Sequence, residues 1–185
     1  LREAVSRSSK VICLSKEMVK NLLSLCPSVN GNAIIIPNEY EGGTCNVTFP
    51  HLPSSVVIGT AAAHLNEKKG IGNLIKMLSI FKKMSDIDIR LELVGDIDSD
   101  SFNEYSSIIE VNELQDNIKF YGYESRERLI NIMCKWDFYI QTSVCEGHPN
   151  AIAECLQCGT GFMSSNTGYI AEILSNDYPE FFFDS

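Results

Sequence analysis

Short apolar runs alternate with longer amphipathic stretches along most of the chain. From residue 56 onward, the runs that predict strands are Val56–Ala62, Arg90–Val94, Ile118–Tyr121, Phe138–Thr142 and Gly161–Met163, with a last apolar run at Phe181–Phe183. The stretches with helical spacing are Gly72–Met84, Ser101–Asn112, Arg126–Lys135, Asn150–Gln157 and Tyr169–Leu174. Strands that alternate with helices of this length are typical of βαβ units. The pattern therefore predicts an α/β fold with a doubly wound, mostly parallel sheet and helices on both faces.

The first part of the chain adds a strand, a helix and another strand. Lys10–Leu14 and Ala33–Ile36 are short apolar runs that predict strands. Between them, Lys16–Leu25 has the spacing of an amphipathic helix, with Ser15 as its N-cap. The following stretch, Glu39–Ser55, is rich in Gly, Pro, Thr and Asn and has no hydrophobic period. It is the predicted linker.

The composition is in the ordinary range of globular proteins. Hydrophobic residues make up 44% of the 185 residues and charged residues make up 21%. No apolar run approaches the ~20 residues of a membrane span, and the N-terminal sequence lacks the pattern of a signal peptide, so we expect a cytoplasmic protein. The net charge is −9 and the 15 Lys and Arg are scattered along the chain, which argues against nucleic acid as a partner.

The chain has seven cysteines, most of them inside apolar segments. An odd number in such positions favours buried thiols in a reducing compartment over a disulfide framework. Cys155 and Cys158 form a C-x-x-C pair in the later half of a predicted helix, without a second ligand pair for zinc, and we interpret them as structural thiols. The histidines His51, His64 and His148 are not spaced as metal ligands, so no metal site is predicted.

The most informative stretch is CEGHPNAIAECLQCG, residues 145–159. It follows a predicted buried strand; Gly147 allows a tight loop, and Pro149 suits the first turn of a helix that begins near Asn150. The first N–H groups of a helix and the positive end of its dipole bind anions. In an open α/β sheet, ligands sit at this end of the strands. The stretch therefore predicts an anion site.

Two carboxylates border the predicted anion site. Glu146 lies at the tip of the loop, and Glu154 lies about one turn inside the helix. A carboxylate repels a phosphate, so the better task for both is to accept hydrogen bonds from hydroxyl groups, as acidic residues do with ribose. The alternative is an ordinary solvated loop Glu and a helix-face Glu.

With their surroundings, these carboxylates resemble a known motif. Glu146 and Glu154 form an E-x7-E pair accompanied by Gly147, Pro149, Asn150 and Gly159, which is similar to the donor-site motif of retaining GT-B glycosyltransferases, and most similar to family 4. The resemblance implies that Glu146 faces the transferred sugar as the catalytic carboxylate. It also implies that the helix start, from Gly147 through Pro149 and Asn150 to Ala151, binds the nucleotide diphosphate, and that Glu154 holds the ribose.

The loop AHLNEKKG, residues 63–70, is similar to the phosphate-binding segment of that family. Lys69 matches the lysine that binds phosphate there; the alternative is a solvated lysine in a turn. His64 stands where the family usually has Arg. A histidine is not permanently cationic and cannot bind a diphosphate through two parallel hydrogen bonds as Arg does.

Three more loops resemble parts of the same donor site. Gly95 lies in a turn similar to the family's "LVG" turn, where it lets the backbone pass close to the ligand. Gly122 and Tyr123 match the "F.G" turn that lines the nucleobase pocket, and Tyr123 could stack on a base or simply fill the core. Glu172, after Asn166-Thr167-Gly168, is similar to the "GG..E" element beside the donor site.

The resemblance implies a Rossmann-like domain that forms one half of a GT-B fold. Residues 1–50 are then the tail of a missing N-terminal domain together with the hinge. Residues 51–185 are the nucleotide-sugar-binding domain, whose C-terminal end is expected to be truncated. The acceptor site would lie on the missing domain, and peripheral membrane association through that domain remains open.

The activity implied is transfer of a sugar from a nucleotide-sugar to an acceptor hydroxyl with retention, as in polysaccharide biosynthesis, without a metal or other cofactor. Because the active site of this family lies between two domains, the isolated chain is expected to be inactive. Two alternatives remain: a nucleotide-sugar epimerase of the same fold, and a non-catalytic nucleotide-binding module, since a fold alone does not give a function.

Overall fold

The computed structural model describes residues 2–38 and 54–184. The predicted linker at Glu39–Ser55, apart from its last two residues, and the predicted boundary near residue 50 lie outside the described residues. The strands are β1 (Val11–Cys13), β2 (Ala33–Ile35), β3 (Ser55–His64), β4 (Asp88–Asp96), β5 (Ile118–Gly122), β6 (Phe138–Gln141), β7 (Gly161–Ser165) and β8 (Phe182–Phe183). The α-helices are α1 (Arg2–Ser6), α2 (Lys16–Leu25), α3 (Ile71–Met84), α4 (Ser99–Val111), α5 (Arg126–Met133), α6 (Asn150–Gln157) and α7 (Gly168–Leu174).

The main sheet has six parallel strands in the order β5-β4-β3-β6-β7-β8. β3 is central, and its Ile58 pairs with Leu91 of β4 on one side and with Phe138 of β6 on the other. The chain runs outward from β3 to β5 and then returns to β6 on the opposite side of β3. The strand order therefore reverses between β3 and β6, and the carboxyl ends of these two strands are where an open α/β sheet binds ligands.

Each face of the sheet has its own buried core. Helices α3 and α4 cover one face, where Leu74 and Ile75 pack with Leu91 and Leu93 of β4. Helices α5, α6 and α7 cover the other face with the buried side chains Met133, Trp136, Tyr139, Ile152, Cys155 and Ile170. The predicted doubly wound α/β sheet with helices on both faces is confirmed.

Strand ends differ most from the predicted bounds. β3 and β4 both continue past their apolar cores, because their pairing extends as far as His64 opposite Asp96. Polar residues at a strand end carry no hydrophobic signal, so pairing alone sets that boundary. The apolar run Phe181–Phe183 divides into the end of a 3₁₀ turn (Pro179–Phe181) and the edge strand β8.

The first elements form a separate layer beside the main sheet. β1 and β2 pair in parallel as a two-stranded sheet, and Ser15 caps α2 by accepting a hydrogen bond from Met18 N at 3.1 Å, as predicted. The carboxylate of Glu172 in α7 accepts hydrogen bonds from Lys16 N at 3.0 Å and Glu17 N at 2.9 Å. These bonds fix the start of α2 on α7.

The C-x-x-C pair lies in α6 and just after it. Cys155 is fully buried in the core beneath α6, and Cys158 is half-buried; both are reduced cysteines. Burial raises the pKa of the Cys155 thiol, as expected for a structural cysteine. Within residues 2–38 and 54–184, no helix has both the length and the apolar character needed to cross a membrane.

Candidate functional site

A cleft of about 600 Å³ opens at the carboxyl ends of β3 and β6. Its lining includes most of the residues that the sequence singled out: Lys69, Gly95, Tyr123, Glu146, Pro149, Asn150, Ala151 and Glu154. These residues come from four separate parts of the chain: the loop after β3, the end of β4, the loop after β5, and the segment that runs from the loop after β6 into α6. The sheet topology gathers them because parallel strands end at the same edge.

The loop that carries Lys69 is fastened to the end of β6. Thr142 donates a hydrogen bond from its hydroxyl to the Lys69 carbonyl at 2.8 Å, and Val144 N donates to the Lys68 carbonyl at 3.0 Å. Both bonds join two loops that lie far apart in the sequence. They bring the Lys69 side chain beside the loop that carries Glu146.

Lys69 and Glu146 form an ion pair inside the cleft. The Lys69 Nζ lies 2.5 Å from Glu146 Oε1, and the two side chains are 34% and 12% exposed. The predicted phosphate-binding cation and the predicted sugar-facing carboxylate therefore neutralise each other without a ligand. A phosphate that binds here must share Lys69 with Glu146 or replace it.

Glu154 has a different cation as its partner. Arg126 Nη2 lies 3.5 Å from Glu154 Oε1, and the side chains are 77% and 14% exposed. Glu154 is thus nearly as buried as Glu146, but its cation stands largely in solvent. Solvent screening makes such a pair weak, so a ligand can separate it at little cost.

The start of α6 faces the cleft between these two carboxylates. The helix begins at Asn150, with Pro149 as an N-cap residue whose side chain makes no capping hydrogen bond. Pro149, Asn150 and Ala151 all line the cleft. The positive end of the helix dipole is therefore directed at the cavity, as expected for an anion site.

His148 also lines the cleft and was not among the predicted site residues. It is 9% exposed, and its ring centroid lies 5.1 Å from that of Tyr169. Burial lowers the pKa of the His148 imidazole, so the ring is neutral at neutral pH. A neutral ring suits contact with an uncharged part of a ligand better than contact with a phosphate.

Three predicted site residues do not line the cleft. His64 ends β3 with its Nδ1 4.0 Å from Asp96 Oδ2, and its side chain is mostly exposed. Gly122 ends β5 directly before Tyr123, and Gly147 lies against the Sδ atom of Met18. These glycines shape the loops that carry Tyr123 and Glu146.

Gly95 lines the cleft and also has a structural reason to be glycine. A Cβ atom at this position would lie 2.0 Å from the carbonyl oxygen of Ala62. Gly95 therefore lets β4 pass close to the end of β3, and the cleft lies along the backbone of both strands.

The similarity of Glu172 to a donor-site element placed it beside the donor site. In the structure, Glu172 is not among the residues that line the cleft. Its carboxylate instead binds the first backbone N–H groups of α2. The short spacing between Gly168 and Glu172 gives no sign of this task, because the partner helix is about 150 residues away in the sequence.

Sequence reasoning also missed Arg126. This residue follows the helix cap Ser125 and starts α5, whose N-terminal end lies at the same edge of the sheet as the other site loops. A cation in the first helical turn after Gly122 could therefore have identified Arg126 as a site residue. The sequence indicated His148 less clearly, through its position between Gly147 and Pro149 in the motif.

The cleft combines a helix start and a lysine, which suit phosphate, with two carboxylates, which suit hydroxyl groups. In the part of the chain that the structure describes, no three His, Cys, Asp or Glu side chains come together as a metal site requires. A ligand that carries both phosphates and hydroxyl groups fits this arrangement of charges.

Curated proteins of yeast and of a bacterium are similar to the chain. The phosphatidylinositol N-acetylglucosaminyltransferase GPI3 subunit of Saccharomyces cerevisiae is 26% identical over 178 residues, which cover 91% of the chain and 38% of the yeast protein. Protein CapJ of Staphylococcus aureus is 30% identical over 178 residues, which cover 96% of the chain and 44% of CapJ. The chain thus spans less than half the length of these relatives.

Solved structures share the fold. HepE from Anabaena, in complex with UDP-glucose, matches with a TM-score of 0.76 at 19% identity, covering 99% of the chain and 52% of HepE. A TarM mutant from S. aureus, in complex with Fondaparinux, alpha-GlcNAc-glycerol and UDP, matches with a TM-score of 0.72 at 16% identity, covering 95% of the chain and 33% of TarM. The fold is that of the C-terminal-like domain of GT-B glycosyltransferases.

Residues 56–185 match the family described as Glycosyl transferases group 1. This range is well over half of the chain, and it contains every residue that lines the cleft. The chain belongs to the group 1 glycosyl transferases.

Proposed function

We propose that this chain is the donor-binding half of a retaining glycosyltransferase and that the cleft binds a nucleotide-sugar. The observation that carries the proposal is the pair Glu146 and Glu154. Both are largely buried, each is paired with a cation, and both line one cleft together with the start of α6. A helix start alone would suit any anion, but two buried carboxylates beside it favour a ligand that also presents hydroxyl groups.

Each part of the donor has a matching part of the cleft in this proposal. The start of α6 and Lys69 bind the diphosphate, and Glu154 accepts hydrogen bonds from the ribose. Glu146 contacts the transferred sugar, with the neutral ring of His148 nearby. Tyr123, which is 77% exposed at the rim, is free to stack on the base.

Uracil is the proposed base. HepE is named as a complex with UDP-glucose, and the TarM mutant as a complex that contains UDP. Because the chain shares the fold of both proteins, a uridine nucleotide is the first donor to test.

The acceptor site is proposed to lie on a second domain that packs against β1 and β2. These two strands form a parallel sheet of only two strands, and Ile12 and Ile36 are 60% and 48% exposed beside it. Parallel sheets are normally buried on both faces, so further chain is expected to cover this layer. The lengths of the relatives leave room for such a domain.

Donor binding is proposed to need no metal, so it should persist with a chelator present.

The proposal is tested with a panel of nucleotide-sugars on the chain itself. A ligand that binds only the folded state raises its stability by RT ln(1 + [L]/Kd), so UDP-sugars should raise the Tm, whereas GDP- and ADP-sugars should raise it less. Acceptor-dependent release of UDP by the two-domain protein would distinguish a transferase from an epimerase. Failure of every nucleotide and nucleotide-sugar to stabilise the chain would contradict the proposal.

A further inference from the structure

The side chain of Glu17 in α2 reaches the loop that carries Glu146. Its Oε2 lies 3.1 Å from the hydroxyl of Thr167, and its Oε1 lies 3.7 Å from the thiol of Cys145. Thr167 in turn contacts the backbone N–H of Glu146 at 3.2 Å. A helix from the first part of the chain therefore contacts both sides of the proposed catalytic residue, although Glu17 itself is outside the cleft lining.

The hydrogen bonds at Thr167 have a defined direction. A hydroxyl has one hydrogen to donate, and Thr167 donates it to the Glu17 carboxylate. Its lone pairs are then turned toward the Glu146 N–H, which donates to the Thr167 oxygen. Without Glu17, the hydroxyl would be free to rotate and would hold the Glu146 backbone less firmly. Thr167 is 8% exposed, so little water is present to replace this bond.

Cys145 makes a second contact between Glu17 and the same loop. Burial and the neighbouring Glu17 carboxylate raise the pKa of the Cys145 thiol, so the sulfur keeps its proton and remains a hydrogen-bond donor. Because Cys145 directly precedes Glu146, the two oxygens of Glu17 engage the loop at Cys145 and, through Thr167, at Glu146.

Glu17 is itself held in place. The carboxylate of Glu172 binds the backbone N–H groups of Lys16 and Glu17, and Met18 packs against Gly147 in the same loop. The contacts that lead from Glu17 through Thr167 and Cys145 to the backbone of Glu146 are called the relay below. The relay therefore starts from a fixed helix end.

We propose that Glu17 is a positioning residue, which holds the backbone of Glu146 through Thr167 and Cys145 and so sets the geometry of the proposed catalytic carboxylate. The role in catalysis rests on the function proposed above, whereas the relay itself does not. Since α2 belongs to the layer formed with β1 and β2, a shift of that layer against the main sheet would move Glu146.

Hydrogen exchange of the Glu146 amide tests the relay without any activity. Thr167→Val removes the hydroxyl at nearly constant volume, and Glu17→Ala removes the acceptor that orients it. Both variants should speed exchange of this amide by roughly tenfold. Thr167→Ser and Glu17→Gln are the matched controls, because serine keeps the hydroxyl and the glutamine carbonyl can still accept its hydrogen bond. Unchanged exchange in Thr167→Val and Glu17→Ala would overturn the relay.

Transfer kinetics of the two-domain protein test the consequence. Glu17→Ala and Thr167→Val should lower kcat by about tenfold while the Kd of UDP stays the same, since only the placement of Glu146 changes. Thr167→Ser and Glu17→Gln should recover most of the rate. Equal kcat in wild type and Glu17→Ala would overturn the positioning role even if the wild type is an active transferase. If the wild type neither binds UDP-sugars nor transfers, the proposed function fails instead, and the exchange result still decides the relay.

Discussion

The two ends of the cleft place nearly equally buried carboxylates in very different surroundings. At the Glu146 end, the carboxylate is paired with the half-buried Lys69, and its backbone is tied to Thr167. At the Glu154 end, the carboxylate is paired with Arg126, which is 77% exposed, and the rim carries the exposed Tyr123. The Glu146 end is preorganised without a ligand, whereas the partner of Glu154 and the rim beside it are exposed to solvent.

This difference matches the two tasks proposed for the cleft. A reacting sugar must be held in one geometry, and a preorganised site provides that without reordering during the reaction. A base and a ribose need only affinity, which a more adaptable rim can supply. We therefore expect substitutions of the residues that surround Glu146 to be costly and substitutions of the exposed residues around Glu154 to be mild.

The largest difference in stability is expected between the alanine variants of two glycines that share a backbone conformation. Gly168 lies against Glu146, and Gly122 directly precedes Tyr123 at the rim. Gly168 has φ +80° and Gly122 has φ +76°, both in the left-handed region. A Cβ atom at Gly168 would lie 2.9 Å from the Cβ of Glu146, whereas a Cβ at Gly122 would have nothing within 4 Å. Gly122→Ala should cost about 1 kcal/mol of stability from backbone strain alone. Gly168→Ala should cost on the order of 3 kcal/mol, because overlap adds to the strain. Equal losses in urea unfolding would contradict a tightly packed Glu146 end.

The next largest effect is expected at Lys69. Lys69→Ala removes the proposed phosphate contact and leaves the buried Glu146 carboxylate without its cation. The affinity for UDP should fall by roughly 10- to 100-fold, as for a lost charge-assisted hydrogen bond, while the affinity for uridine should change far less. Calorimetry with both ligands measures this. Equal losses for UDP and uridine would mean that Lys69 only shapes the loop.

The smallest effect is expected at Arg126. Because its side chain is largely in solvent, Arg126→Ala should change stability and UDP affinity by less than about 1 kcal/mol. The change should shrink further as salt is added, since exposed ion pairs are screened. A loss that is larger than the loss in Lys69→Ala would reverse the proposed contrast between the two ends.

The order of strands and helices could be predicted because hydrophobic spacing records which faces are buried. The same spacing placed Glu146 after β6 and Glu154 inside α6, so both could be predicted to lie on one segment at the carboxyl edge of the sheet. Strand ends could not be predicted as well, because polar residues such as Asp96 extend β4 only through pairing.

Partnerships across the fold could not be predicted from the sequence. Lys69 and Glu146 are 77 residues apart, and Glu17 and Thr167 are 150 residues apart. No local pattern joins such residues, because their contact depends on how β3 packs beside β6 and how α2 docks on α7. The sequence could therefore predict which residues form the site better than it could predict the bonds between them.

The most direct test of the account compares Glu146→Ala and Glu154→Ala by calorimetry with UDP and with a UDP-sugar. Glu154→Ala should weaken both ligands by about 1 to 3 kcal/mol, because both contain the ribose. Glu146→Ala should weaken the UDP-sugar and should not weaken UDP, because this carboxylate is proposed to contact only the sugar of the ligand and otherwise competes with the phosphate for Lys69. If Glu146→Ala weakens UDP as much as Glu154→Ala does, the two ends of the cleft do not have the separate roles proposed for them.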